Sequence, residues 1–284
     1  MIHGCKAWLI YNAASGSNDP EALAMLDGAL NSAGCNLERK ICFPEEDAPD
    51  VEELRSRGVD LVVIFAGDGT IGSVVTGLFG WEGSLLVLPG GTMNLLARRL
   101  HGEVSAHEII ARLAASDARK VRPTIVGTRG GYALTGVLAG PGTAWNDVRE
   151  AMRSEDLPEM VSAASAAVQE SVGGAKVVCR NPACGREEGY AAIMISPQQD
   201  ALEARGYYAE SFTDYASQAA ALLQGDFRDG PNDLLGTYDR LDLSCPEGEP
   251  MGLLIDGEPS QGSADEVFRL ARCGVDLLAT IDVG

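Results

Sequence analysis

Asp68 stands between two glycines in the run Ala66-Gly67-Asp68-Gly69-Thr70, directly after the apolar stretch Leu61 to Phe65. An acid at the mouth of a buried strand, flanked by residues that let a ligand approach the backbone, suits magnesium, a ribose or a phosphate with its water. Gly67, Gly69 and Gly72 also satisfy the spacing of a dinucleotide-binding turn. That turn needs the next strand to end in an acid that grips the ribose hydroxyls. Here the next apolar run, Ser84 to Leu88, ends in Pro89-Gly90-Gly91-Thr92. The dinucleotide reading fails, and a second glycine-rich turn stands where the acid should be.

Three small-residue loops follow apolar runs and precede helical patterns: Asn12 to Ser17 (NAASGS), Ala66 to Thr70 (AGDGT) and Pro89 to Asn94 (PGGTMN). In a parallel sheet all three gather at the carboxyl edge, where ligands of such sheets bind. Gly16, Gly67, Gly69 and Gly91 open the backbone. Asn12, Ser15, Thr70, Thr92 and Asn94 supply short hydrogen-bonding side chains, and the helix starts supply free N–H groups for phosphate. One such loop alone is an ordinary capped turn; three at one level call for a ligand. Late in the chain, Asp256 and Glu258 flank Gly257 after the apolar run GLLI. If that strand continues, its period of two puts both carboxylates on one face, where one organises a site and the other takes a proton. The same residues also fit a hairpin tip with two solvated acids.

The elements that must position these groups are legible as patterns. Ala7 to Tyr11 reads as a strand, Leu23 to Leu30 as a helix stopped near Gly34, and Val59 to Phe65 as a central strand buried on both faces. Ile71 to Phe79 reads as a helix, Ser84 to Leu88 as a strand and Asn94 to Leu100 as a helix. From Thr124 the texture becomes short strands separated by Gly, Pro and Asn turns, namely TIVGT, GYALTGVLAG, KVVCR, GYAAIMISP, YDRLDLSC and MGLLIDGEP. Helical stretches are expected near 148–172 and 213–223. The fold class is therefore an α/β N-terminal domain with a mostly parallel sheet, residues 1–122, and a β-rich, antiparallel, sandwich-like C-terminal domain, residues 123–284. The last residues are free to return to the first domain.

A formal net charge of −19 over 284 residues argues against nucleic acid as a partner and against adhesion to anionic lipid. Seven cysteines with only three histidines do not compose a zinc site, and reduced thiols in a cytoplasmic protein are expected. No run approaches membrane-spanning length, and the N-terminus lacks a secretion signal. The oligomeric state is open, with a homodimer compatible.

The motifs together resemble a known family. AGDGT resembles the GGDGT loop of the diacylglycerol kinase catalytic domain, shared by sphingosine kinases and bacterial lipid kinases. NAASGS is similar to that family's Asn-Pro-x-Ser-Gly turn, LPGGTMNLLARRL to its Pro-x-Gly-Thr-x-Asn-Asp segment, and LLIDGEP to its Asp-Gly-Glu element. Order and spacing run along essentially the whole chain. The resemblance implies an ATP- and Mg²⁺-dependent lipid kinase that phosphorylates diacylglycerol or a related lipid alcohol during transient, peripheral membrane contact. It implies nucleotide binding by the three loops, Asp68 as the metal-facing acid, Glu258 as the base and Asp256 in support. The chain departs from the family at Ala66, at Ala13 and, above all, at Leu95, where the family carries an acid after the asparagine; no metal role at that position carries over. Asp200 is followed by Ala201 rather than glycine. An NAD kinase shares the loop and architecture but would carry an Asn-Glu pair where this chain has Asn94-Leu95. Phosphofructokinase shares the glycine loop and none of the later segments. A relative that binds nucleotide or lipid without turnover is the further alternative.

Overall fold

A computed structural model describes residues 4–13, 20–115, 118–141, 176–207 and 232–283. It divides into two compact units, Met1–Pro123 with Arg272–Gly284, and Thr124–Ala271. The expected helical stretches at 148–172 and 213–223 lie outside the described residues.

The first unit alternates strand and helix: β1 (Lys6–Tyr11), α1 (Pro20–Ser32), β2 (Asn36–Cys42), α2 (Val51–Arg57), β3 (Leu61–Ala66), α3 (Asp68–Gly77), β4 (Ser84–Pro89), α4 (Leu95–His101), α5 (Ala106–Ala114) and β5 (Arg119–Val121). A strand from the far end of the chain, β17 (Asp276–Ala279), joins the same sheet, whose order is β2-β1-β3-β4-β17-β5. Every pairing in it is parallel except β17 with β5. β3 is buried at all six positions, which is why its sequence is apolar without alternation. Alternate residues serve opposite faces. Val63, Phe65, Leu86 and Leu88 pack with Leu26 and Leu30 of α1 and Ile109, Ile110 and Leu113 of α5. Their neighbours Val62, Ile64, Leu85 and Val87 face the other way, and α3 and α4 cover β3 and β4 with Ile71, Val74, Leu96 and Leu100. α2 and α5 begin at side-chain caps, Asp50 accepting from Glu53 N and Ser105 from Glu108 N.

The second unit is antiparallel throughout its recorded pairings. Its strands are β6 (Thr124–Thr128), β7 (Gly131–Ala133), β8 (Val137–Pro141), β9 (Val178–Asn181), β10 (Ala192–Pro197), β11 (Leu202–Tyr207), β12 (Asn232–Tyr238), β13 (Arg240–Ser244), β14 (Met251–Ile255), β15 (Glu258–Gln261) and β16 (Asp265–Arg272). They form two sheets, β12-β11-β10-β8-β14-β15 and β7-β6-β16-β13-β9. Both contribute to one core, Ile193, Ile195, Leu202 and Leu253 from the first and Val126, Leu241, Leu243 and Phe268 from the second. The β-rich antiparallel character expected from the short strands is what the structure has.

Two stretches that read as single strands are broken. GYALTGVLAG becomes β7 and β8 because Gly136 adopts φ 156° and the N–H groups of Leu134, Thr135 and Gly136 all turn to one carboxylate, that of Asp256. LLIDGEP does not continue as a strand. Ile255 pairs with Glu258, and Asp256 (φ 53°) and Gly257 (φ 86°) make a two-residue hairpin turn with both central residues left-handed. The common-face arrangement of Asp256 and Glu258 is thereby replaced by a turn. α3 also begins earlier than its apolar spacing indicates, at Asp68. Gly67 takes the extended N-cap position, and an acid in the first turn suits the positive end of the helix.

His101, the last residue of α4, has no exposed surface, and its Nδ1 lies 3.1 Å from Thr280 Oγ1 just beyond β17. Burial, reinforced by the Arg112 charge and opposed by a backbone hydrogen bond at Val87, pushes its pKa down from 6.5 to about 4. The folded chain thus holds it neutral where the unfolded chain would protonate it. Its contribution to stability is complete above the unfolded value and is lost as pH falls from about 6.5 towards 4. Urea midpoints at pH 7 and pH 5 should show a His101 component of about 2 kcal/mol in the loss. His101→Leu, whatever its stability at pH 7, should lose that much less between the two pH values; an unchanged slope would contradict the assignment.

Candidate phosphate-binding loops and the Asp-Gly-Glu hairpin

β3 delivers its chain to Gly67 and Asp68, and β4 delivers its chain to Gly90 and Gly91. These exits lie against each other, backbone to backbone. Gly90 N–H donates to Ala66 O at 3.3 Å. A Cβ at Gly90 would fall 2.6 Å from Ala66 N, and one at Gly91 would fall 2.7 Å from Gly67 Cα. Side chains at either position would push the two loops apart, so the glycines of PGG are fixed by contact with AGDGT.

The third loop closes on itself through Asn94. Its Oδ1 accepts from Gly91 N at 2.8 Å, and its Nδ2 donates to Gly91 O at 2.7 Å. Asn94 sits at φ 52°, a left-handed position that asparagine tolerates, and makes no side-chain cap for the helix it precedes. The first turn of α4 is served from elsewhere: Asp68 Oδ1 accepts from Leu95 N at 2.7 Å. The acid expected to face metal or phosphate is therefore also the clasp between the second and third loops. The first loop joins them through Asn12, whose Nδ2 donates to Thr70 Oγ1 at 3.2 Å. Ser15 and Gly16 lie outside the described residues.

The structure thus brings together Asn12, Gly67, Asp68, Thr70, Gly91 and Asn94 at the carboxyl ends of β1, β3 and β4. Gly69 and Thr92 are exposed beside them, and the others are half-buried. Two N–H-rich turns with short polar side chains, partly open to solvent beside Asn12, are chemically suited to oxygen-rich anions such as a nucleotide's phosphates. Among the described residues no group of three His, Cys, Asp or Glu side chains forms a metal cage. Magnesium that arrives with phosphates takes only one or two carboxylates from the protein, and Asp68 is a donor of that type held in a fixed direction. Leu95 contributes through its N–H, a role no side-chain pattern reveals. Arg98 forms an ion pair with Glu103.

The two late carboxylates belong to the second unit and are treated differently by the fold. Asp256 Oδ2 accepts from Leu134 N at 2.7 Å. Its Oδ1 accepts from Thr135 N at 2.7 Å, Thr135 Oγ1 at 2.6 Å and Gly136 N at 3.1 Å. Its own N–H donates to Gly136 O at 3.0 Å. Both oxygens are committed to holding the β7–β8 turn against the hairpin. Glu258, two residues on, is exposed by surface area, yet partial desolvation of its carboxyl and then the negative charge of Asp256 raise its pKa above the ordinary value. A carboxylate raised in this way is a stronger proton acceptor than an ordinary glutamate. Thr135 was not singled out by the sequence; its only signal is a hydroxyl residue before a glycine between two apolar runs.

Comparison with known proteins bears on the same segments. Residues 6–126 match the family model of the diacylglycerol kinase catalytic domain. The chain is similar in structure to a diacylglycerol kinase from Bacillus anthracis str. Sterne, with a TM-score of 0.67, 16% identity and 96% of each chain covered. A second structure from that organism, described as a candidate diacylglycerol kinase, gives a TM-score of 0.68 at 17% identity, covering 96% of this chain and 95% of the other. At such identity the likeness is one of fold. No curated protein matches the sequence. It is over residues 6–126, the segment that holds all three loops, that this protein matches the diacylglycerol kinase catalytic domain.

Proposed function

We propose that the protein is an ATP-dependent lipid kinase that transfers the γ-phosphoryl group to the hydroxyl of diacylglycerol or a related lipid alcohol. The observation that carries the reading is the clasp of Asp68 on Leu95 N–H, which holds two glycine-rich strand exits together beside a third. The kinase family matched over residues 6–126 supports phosphoryl transfer as the reaction class.

In this reading the loop N–H groups, with Thr70 and Thr92, orient the phosphate chain, and Asn12 and Asn94 hold the loops in shape. Asp68 is the residue that would hold magnesium, which when bound neutralises charge on the phosphates. Glu258 accepts the proton of the acceptor hydroxyl as that oxygen attacks phosphorus, an effect typically worth about 10² to 10⁴ in rate. Asp256 fixes the hairpin from which Glu258 projects. The acceptor resides in a bilayer, so the reading includes brief membrane contact; no helix among the described residues is long and apolar enough to cross one.

Acceptor class is decided by incubating the protein with ATP labelled at the γ-phosphate and, in turn, diacylglycerol micelles, sphingosine and NAD. Label should pass to a lipid alcohol, and labelling of NAD alone would sink the proposal. For Asp68, the Asn variant keeps an oxygen for Leu95 N–H and removes only the charge. Asp68→Asn should fold cooperatively and melt only slightly below the wild type, yet bind ATP roughly tenfold more weakly with magnesium present, about 1.4 kcal/mol. Calorimetry without magnesium should narrow that gap, and equal affinities under both conditions would release Asp68 from the role. Glu258→Gln should lower kcat by about 10² to 10⁴ with ATP affinity retained. Because the Glu258 pKa is raised, wild-type kcat/KM should climb with pH through a midpoint above the ordinary glutamate value of 4.5. The Gln variant should lack that limb. Near-full turnover by the variant would place the base elsewhere.

A further inference from the structure

Cys5 and Cys35 immediately precede the first paired residues of β1 and β2. Lys6 and Asn36 are partners in the parallel ladder, and Asn36 N–H donates to Cys5 O at 2.8 Å. Neighbouring strands lie about 4.8 Å apart, within the separation of roughly 4.4 to 6.8 Å that a disulfide requires between its α-carbons. The two sulfurs are 3.4 Å apart, both as free thiols. Cys35 is 4% exposed and packs in the core beneath α1, whereas Cys5 is half-buried and open to a small reagent. Neither takes part in the phosphate-binding loops.

We propose that Cys5 and Cys35 are a redox modification site, forming a reversible intrachain disulfide on exposure to a hydroperoxide. The Cys5 thiolate attacks one peroxide oxygen, the O–O bond breaks, and the departing hydroxide takes up a proton to leave as water. The sulfenic acid formed on Cys5 is attacked by the Cys35 sulfur, which gives up its proton as the S–S bond closes and a second water departs. Two thiols lose two electrons, and one hydrogen peroxide becomes two waters. The order of attack follows from access and from proton sharing within the pair. The adjoining Cys35 thiol lowers the Cys5 pKa, and hydrogen bonding to Cys5 followed by burial raises that of Cys35. The thiolate therefore forms at the sulfur a peroxide can reach.

The bridge closes a covalent loop over β1, the Asn12 loop and α1, ending at the residue before β2. The ladder already sets the two residues at the heads of neighbouring strands with their sulfurs 3.4 Å apart, so closure asks for a side-chain movement of little more than an ångström. Its main effect falls on the unfolded chain, which loses freedom.

The proposal rests on no part of the kinase reading and is tested on the whole chain without substrates. Reduced protein is treated with an equivalent of hydrogen peroxide, and the peroxide is then removed. The chain is blocked with N-ethylmaleimide in denaturant, so that buried thiols react too, and digested without reductant for mass spectrometry. A linked peptide pair containing Cys5 and Cys35 is expected, with the other five of the seven cysteines alkylated. The oxidised protein should melt roughly 5 to 10 °C higher and return to its starting value in dithiothreitol. Cys5→Ser and Cys35→Ala should each abolish both the linked peptide and the shift. Should Cys35→Ala fail to fold, the half-buried Cys5→Ser carries the control. Cys5 driven to sulfinic acid without a link, Cys5 joined to a different cysteine or a second chain, or two fully alkylated thiols would each overturn the proposal.

Discussion

One carboxylate organises the loop-bearing edge of the first unit. Asp68 begins α3 and at the same time accepts the N–H of Leu95, which begins α4. Two helix starts, each carrying partial positive charge, are thereby turned towards a single negative group, a favourable placement for all three. The glycines of the adjoining loops follow from this. Once the helix starts are drawn together, the strand exits before them have no room for a Cβ at Gly90 or Gly91. Asn94, relieved of capping duty, folds onto Gly91 and sets the shape of the third loop. The loop geometry is thus a consequence of backbone contact first and of side-chain chemistry second.

The hairpin of the second unit divides its labour in a comparable way. Asp256 and Glu258 are two residues apart and of the same charge type, yet the first is saturated by hydrogen bonds from residues 134–136 and the second has its carboxyl left to be desolvated beside that charge. The left-handed turn at Asp256-Gly257 is what separates them. It directs one carboxylate inward to the β7–β8 turn and lets the other project from the first residue of β15.

Much of this was legible in the sequence where residue type and local conformation agree. The apolar runs of β3 and β4, the glycine-bearing exits and the change of texture at Thr124 all survive in the structure, because buried parallel strands and tight turns each demand a narrow set of residues. What escaped reading was decided at a distance or by a single cap residue. β2, NLERKIC, carries three charges in seven residues and is an edge strand with one buried position, so its pattern offers little to recognise. α2 is seven residues long and owes its bounds to Asp50 and Gly58 rather than to an apolar stripe. The break between β7 and β8 is made by an acid some 120 residues later, and the early start of α3 by a glycine cap that removes the loop its composition suggests. LEARGY has the composition of a helix and becomes β11 because β10 and β12 flank it on both sides. For β11 and the β7–β8 break tertiary contact overrode local preference, whereas for α2 and α3 a local cap set the bound.

The position of β17 has a bearing on how the protein is made. This strand, Asp276–Ala279, lies between β4 and β5 in the first sheet, although the whole second unit separates it from them along the chain. During synthesis the ribosome delivers β4 and β5 long before the strand that belongs between them. Until then the edge of β4 is unsatisfied, with a row of free backbone groups and an apolar face that invites wrong partners. The inserted unit is made by Ala271, whereas the sheet that follows β4 stays incomplete until β17 has emerged. The loops are thus made well before the strand that completes the sheet beneath them.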